Sequence, residues 1–219
     1  MNQALKEMGK ALAKARYVYA SAGNVSMRHE GETMLITASG SDLASLQLDD
    51  VGICSFDGTW RGRRKPSKEW RMHGVCYQTW ADVGAVIHAT PFYATWLGCM
   101  NEQEDLSGLF VEAMYYLRRI ERVPYLDPGS EELAEAVGEA IRRGTILLLE
   151  NHGVLIAETS LKEAWAALEA LEMAAKMVVL AQVSGATMNQ VDDARQAQFL
   201  RSERYKPAHP LHQQMEGGR

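Results

Sequence analysis

Apolar residues at Leu5, Met8, Leu12, Ala15 and Tyr19 recur at helical spacing and predict an amphipathic first helix. The period then changes. GNVSMRHEGETMLITASGSDL (23–43) holds two short β-prone runs broken by glycines, and VGICSFDG (51–58) holds a third with an Asp57-Gly58 turn. Together they predict a small antiparallel sheet. KPSKEWRMHGVCYQTW (65–80) returns to helical spacing, with Met72, Val75, Cys76 and Thr79 on one face. Ser67 is its candidate cap, and Glu69 falls in the first turn, where the helix dipole favours an anion. GAVIHAT (84–90) reads as a strand that ends on His88.

The stretch 101–124 fits helix or strand, LFVEAMYYL being compatible with both. DPGSEELAEAVGEAIRRG (127–144) carries Pro and Ser ahead of a helix, Glu131 and Glu132 in its first turn, Arg142 and Arg143 in its last, and Gly144 as its stop. TILLLENHGVLIAE (145–158) is two apolar strands around Asn151-His152-Gly153, a hairpin with a histidine at its tip. A long helix follows from Ser160, which with Glu163 has capping-box spacing, to Gly185. A polar helix over about 190–205 and a tail close the chain. The 219 residues are expected to form a single α/β domain, 1–219, with the tail from about 206 flexible or intersubunit.

Composition narrows the class of function. Apolar residues make up 47 % and charged residues 23 %, as in a soluble globular protein with a sizeable core. A net charge of −5 argues against phosphate-neutralising contact with nucleic acid, and RGRRKPSK (61–68) reads as a solvated basic loop. Cys54, Cys76 and Cys99 lie far apart among apolar residues, so they read as core side chains in a reducing compartment. No apolar run approaches the roughly 18 residues of a spanning helix, and the N-terminus lacks a signal-peptide core. The expectation is a cytoplasmic protein with no membrane partner.

Two histidines, His88 and His152, stand at strand ends, and an acid, Glu69, at a helix start; such positions hold side chains rigidly at a sheet edge. Around them are small amide-rich turns at Gly23-Asn24, Ser39-Gly40 and Ser67, suited to a phosphate or carboxylate. Taken in order, SAGNVSMR, LITASGSDL, KPSKEWRMH, ADVGAVIHATPFYAT, PYLDPGSEELAEAV and ENHGVLIAETSLKEAW resemble the class II aldolase/adducin family, over about residues 1–185.

That resemblance implies a three-layer α/β/α fold with a mainly antiparallel central sheet, assembled as a fourfold homotetramer with active sites between subunits. It implies Zn²⁺, Mn²⁺ or another divalent ion, and a small phosphorylated sugar or keto acid as substrate. By position His88 and His152 match metal-binding histidines, and Glu69 matches the aldolases' proton-transfer acid, which also touches the metal. Gly23, Asn24, Ser39, Gly40 and Ser67 match a phosphate cradle, with Lys68 where the family commonly has serine; His73, four residues beyond Glu69, matches a position read as structural. Tyr115, Tyr116 and Tyr205 are candidate acids reaching in from a neighbouring subunit, Tyr115 foremost.

The implied reaction is an aldol-type carbon–carbon cleavage through a metal-stabilised enediolate, with decarboxylation and 4-epimerisation as the family's alternatives. One departure stands out. The family's His-x-His-Pro is His88-Ala89-Thr90-Pro91 here, so the middle ligand is a threonine. A His₂Glu set including Glu69, a histidine such as His209 or His212 from a neighbour's tail, a harder ion such as Mn²⁺ or Mg²⁺, or a catalytically silent site would each account for it.

Overall fold

The computed structural model describes residues 2–101 and 105–217, arranged about one eight-stranded sheet. In chain order the elements are α1 (Asn2–Lys14), β1 (Asn24–Arg28), β2 (Thr33–Thr37), β3 (Val51–Ser55), β4 (Trp60–Arg61), α2 (Trp70–Thr79), β5 (Ala85–Ala89) and α3 (Phe92–Gly98). They continue with α4 (Val111–Tyr116), β6 (Ile120–Val123), α5 (Glu131–Ala140), β7 (Ile146–Leu149), β8 (Gly153–Glu158), α6 (Leu161–Ser184), α7 (Asp193–Arg201) and α8 (Pro210–Gly217). The sheet order is β4-β3-β2-β1-β5-β8-β7-β6, antiparallel throughout except where β6 meets β7. The antiparallel sheet expected from 23–58 is therefore one half of a larger sheet, joined at β1–β5 with Asn24 opposite His88.

The inner strands are apolar on both faces, which requires a layer of helices on each. Ala85, Ile87, Val154 and Ile156 enter one core with Ala164, Leu168 and Leu171 of α6. The alternate residues Val86, Leu155 and Ala157 enter the other with Met72 and Cys76 of α2 and Leu133 and Val137 of α5. This is the α/β/α arrangement, and it puts His88, two residues from Val86, on the α2 side of the sheet.

Local chemistry explains the helix starts. Ser130 Oγ accepts from the Leu133 N–H at 3.0 Å, and Ser160 Oγ from the Glu163 N–H at 3.2 Å. α3 begins at Pro91 without a side-chain cap of its own; Glu172 of α6 accepts from the Tyr93 and Ala94 N–H groups at 3.0 and 2.8 Å. Glu69 does not lie in the first turn of α2 but on the residue that precedes it, turned toward the sheet.

The ambiguous stretch 101–124 resolves into α4 and β6, with residues 102–104 outside the described residues. The final polar helix ends at Arg201, and α8 follows it, burying Leu211, His212 and Met215 against the same chain. Cys54 and Cys76 are buried as expected, whereas Cys99 is exposed just after α3. Among the described residues no helix is long and apolar enough to cross a membrane.

Candidate metal centre

Glu69, His88 and His152 converge from the residue before α2, from β5 and from the β7–β8 turn, with one ligand atom from each lying within 4.8 Å of the others. His152 Nε2 is 3.1 Å from Glu69 Oε1, and His88 Nε2 is 3.5 Å from Glu69 Oε2. His88 Nδ1 donates to the Val154 carbonyl at 3.0 Å, which fixes the ring with Nε2 toward the carboxylate. This is the way ligating imidazoles are commonly oriented, by a hydrogen bond from the nitrogen remote from the metal. Burial lowers the pKa of His88, favouring the neutral form that ligates. For Glu69 burial pushes upward, but His88, His152 and the Asn24 amide outweigh it and hold the carboxyl at about 2. A carboxylate and two imidazoles form a donor set that fits a divalent ion.

Behind this trio runs a buried chain of hydrogen bonds. Glu69, His73 and Tyr77 recur every four residues at and along α2, and Asn24 and Ser26 share one face of β1. Asn24 Nδ2 donates to Glu69 Oε2 at 2.8 Å, which leaves Asn24 Oδ1 to accept from His73 Nε2 at 2.5 Å. His73 is fully buried, and burial drives its pKa down to about 3, so the ring is neutral and Nδ1 is an acceptor. Ser26 Oγ therefore donates to it at 2.7 Å and accepts from Tyr77 OH at 2.7 Å. All donors point one way, from Tyr77 to Glu69. Sequence reading took His73 as structural and missed the relay; the 69/73/77 spacing opposite Asn24-x-Ser26 was the available signal.

A cavity of about 420 Å³ opens in front of the trio, and the expected cradle residues Gly23, Asn24, Ser39, Gly40, Ser67 and Lys68 all line it. Gly23 sits at φ +81°, and a Cβ there would lie 2.9 Å from the His88 carbonyl oxygen, so the turn must approach β5 without a side chain. Gly153, at φ +151°, is similarly forced, since its Cβ would meet the Ala89 carbonyl oxygen at 2.5 Å. The basic run 61–68 is tied down in part: Arg64 pairs with Asp50, and its Nη2 donates to the Ser39 carbonyl at 2.9 Å, bracing the Ser39-Gly40 turn.

Thr90 lines the same cavity beside His152, and its buried hydroxyl has no hydrogen-bond partner among the described residues. His209 and His212 lie elsewhere. His209 Nε2 is 3.1 Å from the buried Glu158, and the two imidazoles stack at 4.1 Å. Tyr115 also lies outside this cavity within one chain: its OH donates to the Pro207 carbonyl at 3.1 Å, and burial raises its pKa to about 12. Tyr116 donates to Glu163 at 2.7 Å, and Tyr205 packs on the Tyr115 ring at 5.7 Å. In one chain these three tyrosines fasten the tail.

The model of the class II aldolase and adducin N-terminal domain matches residues 3–179. The chain is 30 % identical over 174 residues to the 3-oxo-tetronate 4-phosphate decarboxylase of Haemophilus influenzae, covering 78 % of this chain and 83 % of that one. It is 33 % identical over 171 residues to the L-fuculose phosphate aldolase of Methanocaldococcus jannaschii, covering 78 % and 91 %. A solved L-fuculose 1-phosphate aldolase superposes with a TM-score of 0.81 at 30 % identity, over 93 % of this chain and 96 % of that one. With a three-layer fold and a Glu/His/His cluster at the ends of its central strands, the chain belongs to the class II aldolase and adducin family.

Proposed function

We propose that the protein is a metal-dependent carbon–carbon lyase of the aldolase type, acting on a small phosphorylated sugar or keto acid. The observation that carries this reading is the convergence of Glu69, His88 and His152 at the floor of a cavity walled by hydroxyl- and amide-bearing turns. The chemistry that Zn²⁺, Mn²⁺ or a similar ion supplies when bound there is Lewis-acid polarisation of a carbonyl and its neighbouring hydroxyl. His88 and His152 are its nitrogen ligands. Gly23, Asn24, Ser39, Gly40, Ser67 and Lys68 orient the phosphate, with Lys68 supplying a mobile positive charge.

Glu69 is ionised, and its Oε1 is free of Asn24. In cleavage it takes the proton of the substrate hydroxyl as the adjacent carbon–carbon bond breaks, releasing an aldehyde and leaving an enediolate. A tyrosine of a neighbouring subunit, with Tyr115 as candidate, returns a proton to the enediolate carbon, within a cytoplasmic homotetramer. Decarboxylation is the second reading, favoured by the likeness to a decarboxylase and by Lys68, which suits a carboxylate as well as a phosphate.

The test is metal content per chain by elemental mass spectrometry on tag-free protein, followed by a panel of sugar phosphates read for aldehyde, carbon dioxide or epimer. About one zinc or manganese per chain, lost in His152→Ala without loss of the folded oligomer, is the expected result. Retention of metal by His152→Ala would remove the site, and no metal after incubation with Zn²⁺ and Mn²⁺ would make this a silent member of the family.

A further inference from the structure

A second concavity, a groove of about 530 Å³, adjoins the first, and the two share Tyr19, Thr90 and His152. Their linings differ in kind. The first holds Lys68 and Glu69; among the described residues the groove holds no Asp, Glu, Lys or Arg, and its wall includes Phe92, Trp96, Cys99 and Met100. Phe92 and Trp96 are one helical turn apart on α3, with ring centroids 5.7 Å apart, and they remain 61 % and 46 % exposed. Among the described residues nothing covers the exposed parts of these rings.

The junction residue is Thr90. It follows directly on β5, its N–H is held by the Tyr17 carbonyl at 2.8 Å, and its methyl group lies against Gly153. Thr90 lines both concavities, and its short side chain takes up less of their junction than an imidazole would. A molecule gripped at Glu69, His88 and His152 thus has one polar and one apolar direction in which to extend.

We infer that the substrate is two-ended. Its anionic end lies in the Ser39, Gly40 and Ser67 cavity, and an apolar substituent, alkyl or aryl, crosses Thr90 to pack on Phe92 and Trp96. This rests on the proposed metal site but goes beyond it, since it selects among phosphorylated or carboxylated substrates those that carry a hydrophobic group on the far side of the reacting carbons. Trp96 and Phe92 are then specificity residues, and Thr90 is the residue that admits the substituent. The groove is continuous with the metal site, since His152 lines both concavities, so whatever that site holds borders the aromatic wall.

The experiment is calorimetric titration of zinc-loaded protein with two homologous series, acetohydroxamate to hexanohydroxamate and methyl to pentyl phosphate, so that each head group carries its own control. Each methylene buried adds about fourfold in affinity. The expected result is a rise of at least tenfold along one or both series, reduced to within twofold in Trp96→Ala and Phe92→Ala, with the shortest member binding as in the parent. A flat series on every head group that binds overturns this inference and leaves the metal-site reading standing. Failure of both head groups to bind overturns both. If instead a second copy covers the groove, Trp96→Ala shifts the sedimentation coefficient while the series is flat, which also overturns it.

Discussion

Replacing His73 by phenylalanine tests whether the buried relay holds Glu69. Phenylalanine fills nearly the same volume between α2 and β1 but neither donates nor accepts. Two groups lose their partner at once: Asn24 Oδ1, which accepts from His73 Nε2 at 2.5 Å, and Ser26 Oγ, which donates to His73 Nδ1 at 2.7 Å. Asn24 is 5 % and Ser26 0 % exposed, so water cannot replace either bond. An orphaned buried polar group costs about 1–3 kcal/mol, and relief of the imidazole's own desolvation offsets part of that, so the loss should be roughly 2–4 kcal/mol. Urea denaturation at pH 7.5 measures it.

The same change frees Asn24 to turn, which removes the donor that fixes Glu69 Oε2. Loss of an outer hydrogen-bonding partner typically lowers metal affinity about 10–100-fold. Competition with a chromophoric zinc chelator reads this directly. A stability loss below about 1 kcal/mol would refute the closed relay, and an affinity within twofold of the parent would show that Glu69 is positioned without Asn24.

Acid should weaken the fold through its buried histidines. His73, His88 and His212 are all held neutral, chiefly by burial, while their unfolded counterparts bind protons below about pH 6.5. The unfolded state gains the protons, so stability falls as pH drops, by about 1.4 kcal/mol per pH unit for each such group. Going from pH 7 to 5, the His73→Phe chain should lose roughly 2 kcal/mol less than the parent in urea titrations; equal losses would mean that His73 protonates within the fold. Thr90→His, beside His152, should tighten zinc binding by an order of magnitude or more, seen with the same chelator, and no change would mean that another group already completes the ligand set. Gly153→Ala forces a Cβ against the Ala89 carbonyl at φ +151° and should cost roughly 1–3 kcal/mol in thermal unfolding; an unchanged Tm would show that the turn accommodates a side chain.

Much of this was legible from residue order because local signals and tertiary demands agree. Ser130 and Ser160 cap the helices they precede, the run from Ile146 to Glu158 forms its hairpin, and ligand atoms of Glu69, His88 and His152 lie within 4.8 Å of one another. What was not legible depends on pairings remote in sequence. That β1 lies beside β5 is decided by burial of both faces, which no local pattern reports. The role of His73 emerges only when Asn24 and Ser26 are opposite it. α8 is short and weakly patterned, and Leu211, His212 and Met215 are ordered by the surface they cover. Cys99, the residue after α3 ends at Gly98, is exposed although its sequence neighbours are apolar, because its side chain lies on the outer side of the helix end.

The order of strands across the sheet also sets when the centre can exist during folding. β1, β2 and β3 are joined by near-neighbour antiparallel pairings, and such contacts close quickly. Asn24 opposite His88 and His88 opposite Leu155 are separated by more than sixty residues each, and those registers set Glu69, His88 and His152 around one point. On a growing chain the β1–β3 meander can form long before His152 has been synthesised, so the site is assembled last. An ion recognising the trio finds it only in the completed sheet, and its binding free energy adds to the stability of that state alone.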